Sequence, residues 1–280
     1  MAENSDPGIE IRLENLSFYY PESEQLVFND LSLDLPRGIT TLIGQNGTGK
    51  STLLLLSAGI LLPQEGNVYL RGIDTRNLRE EQERQRHVSF VYQNMEFETE
   101  ENIGDLLDYV YENGFHENKD PELITELIEV CELEKLLSKK TQEVSKGQLQ
   151  RTIIAFSLLY GSKIIMMDEP IFALEEYQKH RIMKYLIEYA RSRDLSLYYS
   201  VHELDISQTY SDYLLLFHKN GRIELGPTKD LYNRKNIEEA YEVPYIMLKR
   251  KEAIYREALR ERSPGEPHAG GPYPGDPVRM

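Results

Sequence analysis

Only one cysteine, Cys131, occurs among the 280 residues, so no intrachain disulfide can form and a reducing cytoplasm is the simplest compartment. Long apolar runs are missing too. No stretch approaches the roughly 18 consecutive apolar residues of a membrane-spanning helix, so any membrane part has to come from another polypeptide. Residues 1–8 are polar and lack the apolar centre of a signal peptide. Basic charge is in short supply: 32 Lys and Arg face 47 Asp and Glu, a net charge of −15. Broad nucleic-acid binding needs a basic face and is argued against. Nucleotide binding is not, because a phosphate loop brings its own positive potential. No internal repeat is visible. The length allows a substantial core, as one large domain or a core with a subdomain.

What the chain does have is Gly44-Gln45-Asn46-Gly47-Thr48-Gly49-Lys50-Ser51-Thr52, which fits the phosphate-loop pattern G-x-x-x-x-G-K-[ST]. A strand-like run, Ile39 to Ile43, leads in, and a helix-like run, Ser51 to Ser57, leads out. Glycines let the backbone fold tightly round a phosphate with its N–H groups pointing inward. The helix that follows adds its N-terminal partial positive charge. Lys50 is expected to reach the β- and γ-phosphates and the Ser51 hydroxyl to bind Mg²⁺. Further on, Asp168-Glu169-Pro170 closes the apolar run Lys163 to Met167. An aspartate at the end of a buried strand suits Mg²⁺ coordination. Glu169, next to it, is placed to polarise an attacking water.

Strand-like alternation covers Ile9 to Tyr20 and Leu31 to Leu35, and further strands are expected at Val68 to Leu70 and Val88 to Tyr92. From Ile103 to Leu137 apolar residues recur at three and four, which predicts a small helical insert; Cys131 falls in its run Leu123 to Leu137 and is read as structural. Ser145 to Tyr160 reads as a helix, Ile164 to Met167 as a buried strand, Tyr177 to Ala190 as a helix and Leu195 to Tyr199 as a strand. Tyr213 to Phe217 and Arg222 to Leu225, joined by Asn220-Gly221, suggest a hairpin. Alternating strands and helices point to a mostly parallel sheet covered on both faces. Residues 263–280, dense in Pro and Gly, read as a disordered tail.

In this order the motifs resemble the ATP-binding subunit of ABC transporters, over roughly residues 9–245. The family's LSGGQ signature is similar to Val144-Ser145-Lys146-Gly147-Gln148, followed by the family-like Leu149-Gln150-Arg151. Gln93 matches the family's Q-loop glutamine, His202 its switch histidine, and Tyr20 the aromatic that stacks on adenine, with Tyr19 as the fallback. The resemblance implies an α/β fold: a P-loop NTPase core with a mostly parallel sheet, an N-terminal antiparallel β subdomain and a small α-helical subdomain. It divides the chain into 1–93 (first half of the core), 94–160 (helical subdomain with the signature helix), 161–246 (second half), 247–262 (a C-terminal helix) and 263–280 (the tail).

It also implies ATP and Mg²⁺ as ligands, with Ser51, Gln93 and Asp168 on the metal, and ATP hydrolysis by a head-to-tail dimer, homo- or heteromeric. Ser145 and Gly147, with Gln148, would close the nucleotide held on the partner's phosphate loop. His202 would hold Glu169 and the water in line, and Gln93 would relay closure to separate transmembrane permease subunits. The chain would then sit at the cytoplasmic face of the cell membrane through those partners, docking between Gln93 and Asp105, where Met95 and Phe97 stand among acids. ATP is preferred to GTP because no N-K-x-D guanine motif occurs.

The C-terminal run Ile237 to Val243 looks like the tail of subunits serving iron-chelate and cobalamin importers, which makes import the expectation; corrinoid, metal-chelate and vitamin uptake stay open, as does export. Two positions depart from the family. Lys146 replaces the signature's first glycine, either as a solvated lysine or as added positive charge near the partner's ATP. Phe172-Ala173-Leu174-Glu175 replaces the usual S-A-L-D and puts coupling between the two sites in doubt. These departures motivate the alternative of an ATP-gated dimeric clamp or regulator with slow turnover. A chromosome-maintenance ATPase is argued against by the missing coiled-coil insertion.

Overall fold

Short runs buried on both faces form the central strands of the molecule. The computed structural model describes residues 8–23, 25–93, 95–250 and 252. The tail expected over 263–280 lies outside these, and of the helix expected over 247–262 only 247–250 and 252 are described, within a helical stretch that starts at 245. In chain order the elements are β1 (Ile9–Tyr19), β2 (Leu26–Pro36), β3 (Ile39–Gly44), α1 (Lys50–Ser57), β4 (Glu65–Leu70), β5 (Ile73–Asp74), α2 (Glu81–His87), β6 (Val88–Val91), α3 (Ile103–Glu112), α4 (Leu123–Val130), α5 (Lys146–Leu159), β7 (Ile164–Asp168), α6 (Glu176–Ser192), β8 (Ser196–Ser200), α7 (Leu204–Tyr210), β9 (Tyr213–Phe217), β10 (Ile223–Pro227), α8 (Thr228–Leu231) and α9 (Arg234–Tyr241).

Two sheets result. One has four strands in the order β2-β1-β4-β5, all antiparallel; the other has six in the order β10-β9-β3-β8-β7-β6. Within the larger sheet β6, β7, β8, β3 and β9 run parallel, and β10 returns antiparallel beside β9. Its central strands are apolar on both faces, as a doubly covered sheet demands. Ile164, Met166, Tyr198, Leu215 and Phe217 point to one core, shared with the small sheet's Ile11, Leu13 and Leu70. Ile165, Met167, Leu197, Tyr199, Leu214 and Leu216 point to the other, filled by α3 to α6. Helix α1 is caught between the sheets. Leu53, Leu54 and Leu56 join the first core, and a short helix that is apolar nearly all round gains most of its stability from such burial.

The helical insert differs in one respect from its sequence pattern. The periodicity runs on to Leu137, but α4 stops at Val130 and Cys131 is its cap. Glu132 takes φ +53°, which turns the chain out of the helix. Its carboxylate then accepts from Arg151 Nη1 at 2.8 Å and Gln178 Nε2 at 2.8 Å, tying α4 to α5 and α6. Cys131 is fully buried and its thiol is pushed up to about 12 by burial, so it remains a protonated packing group.

Parallel strands place their carboxyl ends on one edge, the usual binding edge of an α/β sheet. There β3 ends at Gly44, β7 at Asp168, β8 at Ser200 and β6 at Val91.

Candidate functional site

The phosphate loop leaves β3 and re-enters structure at α1. Gly49 caps α1 with φ +99°, and a Cβ there would stand 2.9 Å from the Phe28 ring, so both conformation and space require glycine. Thr48 Oγ1 donates to the Gln45 carbonyl at 2.8 Å and closes the loop, leaving Asn46 and Gly47 exposed at its tip. Lys50 is buried, its Nζ donating to the carbonyls of Gly44 and Gln45, each at 2.9 Å. Burial lowers its ammonium from the ordinary lysine range, opposed by the charges of Glu169 and Asp168. The first turn of α1 holds no acid, so its positive end stays uncompensated. Ser51 is half-buried in that turn, and Thr52 Oγ1 is 3.0 Å from the Tyr20 hydroxyl. Tyr20 thus stands beside the loop, edge-on to Phe18, whereas Tyr19 is held through its backbone by Gln64. From the outer side the Tyr241 hydroxyl accepts the Gly44 N–H at 3.1 Å, and Gln45 Nε2 donates to the Tyr241 carbonyl at 2.6 Å.

Around the acids the structure brings together residues from three strand ends, those of β6, β7 and β8. Glu169 Oε1 lies 2.7 Å from His202 Nε2, and its Oε2 accepts from Gln93 Nε2 at 2.8 Å. An acceptor-only carboxylate oxygen places the His202 proton on Nε2. Asp168 is buried at the end of β7 and its Oδ1 accepts from the Ser200 hydroxyl at 2.5 Å. The same Ser200 Oγ accepts the Glu169 N–H at 3.0 Å. Glu169 has φ +49°, a left-handed conformation that costs a non-glycine residue roughly 1–2 kcal/mol and turns its side chain towards Gln93 and His202. Beyond His202, Glu203 Oε1 meets the buried Lys179 Nζ at 2.5 Å and anchors that loop to α6.

The signature residues form a separate group. Ser145 caps α5, its Oγ accepting the Gln148 N–H at 3.3 Å while Gln148 Oε1 accepts the Ser145 N–H at 2.9 Å. At Gly147 a Cβ would stand 2.8 Å from the Ala173 carbonyl, so glycine lets α5 approach the loop 172–175. Phe172 in that loop is 52% exposed. Among the described residues no hydrogen bond or ion pair joins 145–148 to the phosphate loop. The start of α5 and the segment before it are instead laced to the segment after Gln93. Lys146 pairs with Glu96 at 3.1 Å, Lys140 with Glu100 at 2.6 Å, and Thr141 Oγ1 donates to the Phe97 carbonyl at 2.7 Å. Gln142 and Thr99 exchange a further pair of hydrogen bonds. Beside this lacing a cavity of about 340 Å³ opens between β6, α3 and α5, lined by Phe90, Tyr92, Met95, Phe97, Tyr109 and Phe156 among others.

The donor set near Asp168 suits a hard divalent cation. Among the described residues no three His, Cys, Asp or Glu side chains gather into a metal-binding group. A cation held by Asp168, the Ser51 hydroxyl and the Gln93 amide oxygen would therefore keep most of its other oxygens from water and phosphate, as Mg²⁺ prefers. Two members of the site were not foreseen. Ser200 shows itself in the sequence only as a polar residue ending an apolar strand, and Tyr241 carries no local signal.

The family model for ABC transporters matches residues 28–172. The molybdenum import ATP-binding protein ModC of Shewanella sp. (strain MR-7) is 27% identical over 236 residues, which cover 82% of this chain and 62% of that protein. The chain thus spans less than two thirds of that relative's length. The energy-coupling factor transporter ATP-binding protein EcfA1 of Mycoplasma mobile is 30% identical over 243 residues, covering 84% of this chain and 87% of the relative. Among solved structures, an ATP-binding cassette in a dimeric post-hydrolysis state with ADP and Pi has the same fold. It aligns with a TM-score of 0.66 at 22% identity, over 78% of this chain and 98% of that one. Among the described residues no helix is long and apolar enough to cross a membrane.

Proposed function

Because this chain belongs to the ABC transporter family, we propose that it is the ATP-binding and ATP-hydrolysing subunit of a membrane transporter, with import as its direction. The observation that carries the reading is the contact set around Glu169. A carboxylate next to the buried Asp168 receives both Gln93 and His202, on the strand edge that also bears the phosphate loop. The molybdenum import ATP-binding protein among its relatives supports the direction.

The chemistry follows from the placement of charges. Backbone N–H groups of Gly47 to Lys50, the Lys50 ammonium and the positive end of α1 favour the phosphates, and Tyr20 offers an aromatic face to the base. Ser51, Asp168 and Gln93 would hold Mg²⁺, which supplies charge neutralisation at the transferred phosphoryl group when bound. Glu169 accepts the proton of the attacking water, and His202 keeps that carboxylate aimed through its 2.7 Å contact. Catalysis is thus positioning plus electrostatics. Ser145, Gly147 and Gln148 close the nucleotide of a second ATPase subunit, homo- or heteromeric. This agrees with their separation from the phosphate loop of their own chain. The cavity flanked by Met95, Phe97 and Tyr109 is the docking site for the transmembrane permease, which would hold the chain at the cytoplasmic face of the membrane.

Purified protein, alone and with its membrane partner, is the test. The wild type hydrolyses ATP, and Glu169→Gln lowers turnover by about 100-fold or more, the contribution of a general base, while retaining ATP in a dimer seen by light scattering. Absence of hydrolysis in a reconstituted wild-type complex would overturn the motor reading. It would favour the ATP-gated clamp that the exposed Phe172 and the altered signature residue Lys146 suggest.

A further inference from the structure

We infer that Ser200 is a positioning residue for the hydrolytic reaction: its hydroxyl fixes the metal-facing carboxylate of Asp168 and the backbone of the catalytic base Glu169 relative to each other. The inference rests on the ATPase reading above and adds a residue to it. Ser200 is fully buried, on the central strand β8, in register opposite Asp168 on β7 and Leu42 on β3. Its face of the sheet is that of Tyr198, which packs in the core around α1, so its side chain lies on the phosphate-loop side. One oxygen serves two neighbours. Oγ–H donates to Asp168 Oδ1 at 2.5 Å, and an Oγ lone pair accepts the Glu169 N–H at 3.0 Å.

These two bonds do different work. The first holds one carboxylate oxygen of Asp168, so that the other would be available to a bound cation. The second gives a partner to the amide of a residue held at φ +49°. It orients the Asp168–Glu169 peptide so that Glu169 reaches Gln93 and His202, 2.8 and 2.7 Å away. A hydroxyl can donate and accept at once; an alanine methyl can do neither, and a valine side chain fills the space without either bond.

The test compares Ser200→Ala and Ser200→Val with Ser200→Thr, which keeps the hydroxyl on a side chain suited to a strand. ATP affinity is measured by fluorescent-nucleotide binding in EDTA and in Mg²⁺, alongside kcat and thermal unfolding. Loss of the hydroxyl should leave affinity in EDTA within about twofold, and lower the Mg²⁺-dependent gain and kcat each by about tenfold or more, the usual effect of removing an outer partner of a metal ligand. Ser200→Thr should restore both. Wild-type Mg²⁺ dependence and kcat in a folded Ser200→Ala protein overturn the inference and leave the ATPase reading intact, because the wild type still turns over. If Ser200→Ala does not fold, Ser200→Cys takes its place under the same criteria: its thiol is a weak donor and acceptor, so an intermediate loss supports the inference and wild-type values overturn it. A drop in unfolding temperature with unchanged Mg²⁺ dependence likewise counts against it.

Discussion

Tyr241 stands 197 positions beyond Gly44 in the chain, yet its hydroxyl accepts the Gly44 N–H. A buried amide deprived of its partner costs roughly 1–3 kcal/mol, so Tyr241→Phe should destabilise the protein by about that amount. Because the amide belongs to the phosphate loop, the ATP dissociation constant should rise while kcat at saturation holds. Chemical denaturation and nucleotide titration check the two parts. Gly44 tolerates no side chain at all: a Cβ would stand 2.5 Å from the Phe217 carbonyl oxygen. At this scale the sequence was readable where chemistry is local and not where it is paired across the sheet. The phosphate loop and Asp168-Glu169 announce themselves through contiguous residues. Ser200 acquires its meaning only from the register that sets it opposite Asp168, and Tyr241 only from where α9 comes to rest.

Helix α5 shows what one element does with its first turn. Ser145 and Gln148 satisfy each other's backbone N–H groups, and replacing a serine cap by alanine typically costs about 1 kcal/mol. Ser145→Ala should therefore lower stability by about that much, measurable by urea unfolding. Under the dimer reading it should also weaken ATP-driven dimerisation of a Glu169→Gln protein, which centrifugation reads directly. The far side of α5 is anchored differently. Arg151, largely buried, reaches the carboxylate of Glu132 at 2.8 Å and the Cys131 carbonyl at 2.6 Å. Glu132→Ala should cost roughly 1–3 kcal/mol by leaving that guanidinium short of an acceptor. Calorimetry should show the loss. The apolar spacing from Leu123 to Leu137 could not disclose where α4 ends, because periodicity records which face is buried and not whether a residue such as Glu132 turns left-handed.

For the molecule as a whole, the alternation of strands with helices made the two-faced sheet legible. The helical insert was legible as helical but not in its attachment, since Glu132, Arg151 and Gln178 are far apart in sequence. Tyr109 is 66% exposed beside the cavity, so changing it disturbs no core. Tyr109→Asp should leave the ATP affinity of the isolated subunit within about twofold and reduce co-purification with the permease by about tenfold or more, the weight of a central interface aromatic. Equal recovery of partner would remove that face from consideration. The exposed pairs Lys146–Glu96 and Lys140–Glu100 are individually weak, but with Thr141 and Gln142 they yoke the cavity's rim to the start of α5. Under the docking and dimer readings, whatever seats itself in the cavity would bear on how readily two subunits clasp their nucleotides, and thermodynamic linkage makes the influence mutual. If a docked permease tightens ATP by some factor, ATP must tighten the permease by the same factor. Two titrations performed from opposite ends should return one number, and severing the yoke at Lys146 should shrink both together.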